Sequence, residues 1–181
     1  MNKESIIKLF ENLDDKLTTN AEICLYGSGA FILLEQDDRT SLDIDIAAPY
    51  SNVNFKDFSN AAKHAGYEIN PTITDKEHIE WIIANRLCLA KPNPKTDIIL
   101  WSGDKLIIKT VSVEDLVASK LIRYDEIDQA DIRYLIEYMN ISYIDIAEAA
   151  ERLPKQFKSD IIVIDNLQNL KEDMMLWNTQ N

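Results

Sequence analysis

The sequence predicts an α+β fold: a small mixed β-sheet with helices behind it and a C-terminal helical bundle. Three observations predict it. Short apolar runs with the two-residue period of strands alternate with helical runs through the first 110 residues. Beyond Val111 the pattern is helical throughout. A chain of 181 residues at 46% hydrophobic composition is long enough to bury one core. Residues 1–110 are accordingly read as a sheet-bearing core, and 111–181 as a helical region packed on it.

Ile6, Phe10, Leu13 and Leu17 recur at helical spacing, which predicts a helix over 4–18. Glu22 to Tyr26 reads as a strand, Gly27-Ser28-Gly29 as a sharp turn, and 28–35 as a buried helix. In Ser41-Leu42-Asp43-Ile44-Asp45-Ile46-Ala47 apolar and polar residues alternate, the signature of a strand over 42–47 with one buried face. A helix follows over 54–65, then strands near 67–70, 86–91, 96–101 and 105–110, with Pro92-Asn93-Pro94 as a breaker between the second and third. Glu77-His78-Ile79-Glu80-Trp81-Ile82-Ile83, within the segment 75–85, stays open between a short helix and a strand. Ser112 and Asp115 have the form of a helix N-cap signal, opening helices near 112–124, 128–139, 143–152 and 155–170; the tail after Asp173 is expected to fray.

The strand period puts Asp43 and Asp45 on one face, with Cα atoms about 6.6 Å apart. Two bare carboxylates repel unless a cation compensates them. At that distance they can jointly hold two Mg²⁺ ions about 3.5–4 Å from one another. An Asp-x-Asp pair alone is more often a solvated polar face. The segment upstream shifts the balance: a strand that runs through Gly27, Ser28 and Gly29 into a helix aims backbone N–H groups at an anion, phosphate above all. Taken alone, these glycines serve a tight turn equally well.

Gly27-Ser28, followed by Arg39-Thr40-Ser41-Leu42-Asp43-Ile44-Asp45-Ile46, resembles the hallmark of the DNA polymerase β-like nucleotidyltransferase superfamily. Val113 to Leu121, then Asp128 and Asp131-Ile132-Arg133-Tyr134-Leu135, resemble most the AbiEii-type toxins of bacterial toxin–antitoxin systems. The interval from Ser28 to Asp43 is slightly longer than usual, a difference the loop Glu35-Gln36-Asp37-Asp38 can absorb. The resemblance implies a nucleotidyltransferase core that transfers a nucleoside monophosphate from a nucleoside triphosphate (NTP) to an acceptor hydroxyl, with two Mg²⁺ ions. It implies metal ligation by Asp43 and Asp45, and nucleotide contacts from Gly27, Ser28 and Lys120; Arg39, just before the acid strand, reads as a further phosphate contact, with a plain surface arginine as the alternative. It also implies a third carboxylate on a neighbouring strand, as metal ligand and general base. The candidate is Asp97, in the β-like run Lys95 to Trp101, and the reading that Asp97 simply starts a strand stays open beside it. In such relatives the acceptor is RNA, commonly tRNA, and a cognate antitoxin restrains the enzyme; a protein acceptor fits as well. Two other readings stand: a small-molecule nucleotidyltransferase of the aminoglycoside type, and a non-catalytic binding protein or antitoxin on the same fold.

A net charge of −12 argues against a broad non-specific nucleic-acid surface. Locally the balance reverses: from Arg86 to Arg123 seven basic residues stand against four acids, a stretch suited to triphosphate or RNA. Lys105 and Lys109 read as strand-edge lysines. Asp128 and Asp131 read first as a solvated acidic face, with pairing to Lys120 as the alternative. Cys24 and Cys88 sit in apolar runs and read as buried thiols, and His64 and His78 as structural or surface residues. With an amphipathic N-terminal pattern and no span long enough for a bilayer, no membrane partner and a cytoplasmic location are expected.

Overall fold

The computed structural model describes residues 1–34 and 39–178; residues 35–38, where a loop is expected from the sequence, and 179–181 lie outside the described residues. The chain forms two compact units, Met1–Leu87 with Pro92–Thr110, and Cys88–Lys91 with Val111–Asn181.

In the first unit, α1 (Lys3–Lys16), β1 (Ala21–Tyr26), α2 (Gly27–Leu33), β2 (Asp43–Ala47), α3 (Phe55–His64), β3 (His78–Ile82), β4 (Ile98–Ser102) and β5 (Leu106–Thr110) follow in order. The five strands form one mixed sheet, β3-β2-β1-β5-β4. β1 runs antiparallel to β2 and parallel to β5, while β3 runs parallel to β2 and β4 antiparallel to β5. This is the mixed sheet that the alternating runs predict. Registers Leu25 to Ile46, Ile44 to Ile79 and Ile23 to Ile108 gather the apolar side chains on one face, where each is buried. α1 packs on β5, and α2 on β1 and β2. The alternation of strand side chains sends Glu22, Asp43, Asp45, Glu80 and Lys109 to the opposite face.

α1 begins where Asn2 accepts a hydrogen bond from the Ser5 N–H (2.9 Å), and it buries Ile6, Leu9, Phe10 and Leu13. The Phe10 ring meets Trp101 with centroids 5.9 Å apart. Two carboxylates then fasten helices to loops. Asp14 accepts from the N–H groups of Asp104, Lys105 and Leu106 (3.0, 2.8 and 2.7 Å), which fixes the β4–β5 hairpin on α1. Asp57, in the first turn of α3, accepts from the N–H groups and hydroxyls of Thr18 and Thr19.

Three expectations shift here. The segment 75–85, left open by its pattern, contains strand β3. Near 67–70 there is only an isolated parallel bridge, Ile69 to Ile79. The run 86–91 forms no strand, although Leu87, Cys88, Leu89 and Ala90 are buried. Residues 88–91 belong to the second unit, whose described regular elements are all helical, so their apolar side chains are buried without a ladder to join.

The second unit holds α4 (Val113–Ser119), α5 (Glu126–Met139), α6 (Tyr143–Arg152), α7 (Lys155–Lys158) and α8 (Ile161–Asn178), the helical bundle the sequence predicts. Ser112 caps α4 as expected, and Asp125 caps α5 by accepting from Ile127 and Asp128, which starts that helix at Glu126 rather than 128. Asn140 ends α5 in the left-handed conformation (φ 54°), and Ser142 with Asp145 forms a capping box for α6. The single helix expected over 155–170 is broken at Ser159 and Asp160, whose carboxylate accepts from the Ile162 N–H (2.9 Å). α8 then continues past Asp173 to Asn178, where fraying is expected. No helix among the described residues is long and apolar enough to cross a membrane.

Candidate active site

The centre of the site is the turn that ends β1. Tyr26 pairs across the sheet with Asp45, and at Gly27 the backbone adopts φ +64° as it enters α2. A Cβ built on Gly27 would stand 2.1 Å from Asp45 Oδ2 and 2.9 Å from its Cγ, so the carboxylate lies directly over the glycine. One residue earlier on β2, Ile44 points the other way, and its Cδ1 stands 3.0 Å from where a Cβ on Gly29 would be. Adjacent strand side chains point to opposite faces, so Ile44 and Asp45 close on the two glycines from opposite sides. The spacing Gly-Ser-Gly followed by Ile-Asp thus has a packing reason as well as a chemical one.

Around this contact the other expected residues assemble. Ser41 Oγ donates to Asp43 Oδ1 (2.9 Å), and the Arg39 guanidinium donates to Ser28 Oγ (3.2 Å). Gly27, Ser28, Arg39, Asp43 and Asp45 are therefore brought together at one end of β1 and β2. β3 adds two residues to which the sequence pattern assigned no role in the site: its register sets His78, expected as a structural or surface residue, beside Asp43, and Glu80 beside Asp45. His78 is 3% exposed; its Nδ1 lies 2.8 Å from the Lys76 carbonyl oxygen and its Nε2 3.1 Å from Glu80 Oε1. The alternation of polar and apolar residues in His78-Ile79-Glu80-Trp81 repeats that of Asp43 to Ile46, and it was the signal available for a second acidic strand.

Asp97 does not join the pair. It precedes β4, and β5 and β1 intervene before β2, a separation of about 14 Å at the ordinary strand spacing. Its side chain is 7% exposed: Oδ1 accepts from the Asn93 N–H (2.8 Å), and Oδ2 lies 3.7 Å from Lys109 Nζ. Lys109, expected on a strand edge, is on the inner strand β5 and pairs with Glu22 at 2.6 Å. The Glu22 hydrogen bond, with the charge of Asp97 beside it, raises the pKa of the ammonium above its ordinary value. Asp97 thus completes a charge cluster of its own.

Lys120, expected at the nucleotide, is 7% exposed within the second unit and donates to Asp128 Oδ1 (2.8 Å) and Asp131 Oδ2 (3.0 Å). Asp128 and Asp131 are each 1% exposed, a buried ion cluster instead of the solvated face first expected. Burial alone would raise Asp128, but the Arg123 hydrogen bond and the Lys120 charge outweigh it and hold the carboxyl below its ordinary range. Cys24 and Cys88 are buried free thiols as anticipated, and burial pushes both up to about 12, which leaves neither as a nucleophile.

Among the described residues no three His, Cys, Asp or Glu side chains converge on a single ion position. Asp43 and Asp45 still suit Mg²⁺: it prefers hard oxygen ligands and is commonly held by one or two carboxylates, with waters and substrate phosphates in the remaining positions.

No curated protein and no solved structure matches the chain. Residues 4–160 match the model of a family described as nucleotidyltransferase of unknown function (DUF6036). The match takes in the glycine turn, both acidic strands and most of the helical unit. The chain belongs to this nucleotidyltransferase family.

Proposed function

We propose that the chain is a Mg²⁺-dependent nucleotidyltransferase that moves a nucleoside monophosphate from an NTP to an acceptor hydroxyl and releases pyrophosphate. The observation that carries this reading is the Asp45 carboxylate set over Gly27, with Asp43 on the same face and the Ser28–Arg39 pair beside it. Mg²⁺ held by Asp43 and Asp45 supplies neutralisation of charge on the triphosphate. Ser28 Oγ and the Arg39 guanidinium bind the terminal phosphate oxygens. Glu80 takes the part that the family resemblance implied for Asp97: it accepts the proton of the acceptor hydroxyl as that oxygen bonds the α-phosphorus and pyrophosphate leaves.

The motifs shared with AbiEii-type toxins favour RNA, commonly tRNA, as acceptor, with a cognate antitoxin as partner. A small hydroxyl acceptor is favoured by a different observation. Of the basic stretch that suited RNA, Lys109, Lys120 and Arg123 are engaged by acids of this chain, which leaves less cationic surface for a polyanion. Incubation with each labelled NTP, Mg²⁺ and either total RNA or a panel of small hydroxyl compounds separates the two by which acceptor carries label. Asp43→Ala and Asp45→Ala are expected to abolish transfer in a folded protein. Nucleotide binding without pyrophosphate release would leave a binding protein on a transferase fold.

A further inference from the structure

The hydrogen bonds of His78 specify more than a plug in the sheet. Nδ1 meets a backbone carbonyl, which only accepts, so that nitrogen carries a proton. Nε2 meets Glu80 Oε1 at 3.1 Å, the second polar contact of the ring. Both ring nitrogens are committed and the ring is buried, which fixes its plane. Glu80 has three rotatable side-chain bonds, and a hydrogen-bond partner of fixed position removes that freedom. The parallel register pairs Glu80 with Asp45 across strands whose backbones lie about 4.8 Å apart.

We propose that His78 is a positioning residue that holds Glu80 where the acceptor's proton must be received, an inference that rests on the transferase reading above. His78 touches neither substrate in this scheme and acts through Glu80.

Two near-isosteres test it, because each keeps one of the two hydrogen bonds. His78→Asn keeps the contact with the Lys76 carbonyl and loses the one with Glu80, whereas His78→Gln reaches Glu80 and loses the other. With pyrophosphate release as readout, His78→Asn is expected to lower kcat about 10- to 100-fold with KM for the NTP unchanged, and His78→Gln to recover most of that loss. The His78→Asn, Glu80→Gln double variant is expected to be no slower than Glu80→Gln alone. Independent, multiplicative losses, or an Asn variant at the wild-type rate, overturn the proposal. Urea unfolding identifies any variant that fails to fold. Should both His78 variants fail, ¹⁵N-edited spectra of the wild type and Glu80→Gln decide the contact. The His78 Nε2 resonance moves if the carboxyl group contacts it, and an unmoved resonance overturns the clamp. A wild type that releases no pyrophosphate refutes the transferase reading itself and removes the catalytic role of His78 with it, while the resonance still reports the contact.

Discussion

Replacing Gly27 with alanine perturbs the contact on which the site is built. At φ +64° an alanine pays for the left-handed conformation, about 1–2 kcal/mol. Its Cβ would stand 2.1 Å from Asp45 Oδ2, far inside the 3.5–4 Å of ordinary contact, so the carboxylate must be driven off its position. Overpacking of that kind costs about 1–3 kcal/mol more, which puts the single variant about 2–5 kcal/mol below wild type. In an Asp45→Ala background Oδ2 and Cγ are absent and the nearest atom is Asp45 Cβ at 3.2 Å. There Gly27→Ala should cost little beyond the backbone term, about 1–2 kcal/mol. Urea unfolding of wild type, both single variants and the double variant measures the coupling directly, expected at about 1–3 kcal/mol and favourable in the double variant. Equal costs in both backgrounds would refute the placement of the carboxylate over the glycine. Pyrophosphate release should vanish in Gly27→Ala as in Asp45→Ala, since the first variant displaces what the second removes.

Lys120→Met leaves Asp128 and Asp131 buried without their shared cation, a loss of about 3–5 kcal/mol by urea unfolding. The lowered pKa of Asp128 gives a stability contribution that is present above the unfolded carboxyl value, about pH 3.9, and lost as pH falls through the folded one. Asp128→Asn should therefore flatten the acid limb of a stability profile followed by circular dichroism. At the alkaline end, burial and the 2.6 Å hydrogen bond to Asp173 raise the Tyr124 phenol. Its contribution is full below the unfolded value of about pH 10 and lost as pH rises toward the folded one, so Tyr124→Phe should cost about 1 kcal/mol at neutral pH and flatten that limb.

The acid pair was legible because strand alternation is a local property: Leu42, Ile44 and Ile46 fix the face of Asp43 and Asp45 without reference to any other strand. The glycine turn was legible for the same reason, since a strand entering a helix through small residues needs no partner to be recognised. Glu80 was hidden for a different reason. Its strand is five residues long at the edge of the sheet, and Glu77 to Ile83 satisfies a helical pattern as readily as an extended one. Asp97 shows the limit most clearly: the approach of an extended run near 96–101 is visible in the sequence, yet which strands lie between it and β2 is a property of the topology. The run 86–91 failed similarly, because apolar side chains report burial and do not report pairing. Lys120 carried a family expectation, and its partners eight and eleven residues along the chain become neighbours only once α5 has folded back onto the turn that holds the lysine.

The polar face of the sheet separates two kinds of acid. Glu22 and Asp97 flank Lys109, so their charges are balanced by a cation of the chain and the cluster adds to the cohesion of β1, β4 and β5. Asp43, Asp45 and Glu80 instead occupy neighbouring positions of two adjacent strands, where like charges repel. A sheet shaped for stability alone has no reason to concentrate carboxylates there, or to bring one of them over a glycine that no other residue can replace without strain. A bound cation relieves repulsion of that kind. It follows that Asp43→Asn should leave the fold as stable or slightly more so while removing transfer, whereas the same change at Glu22 or Asp97 takes one of its two counter-charges from Lys109 and should destabilise.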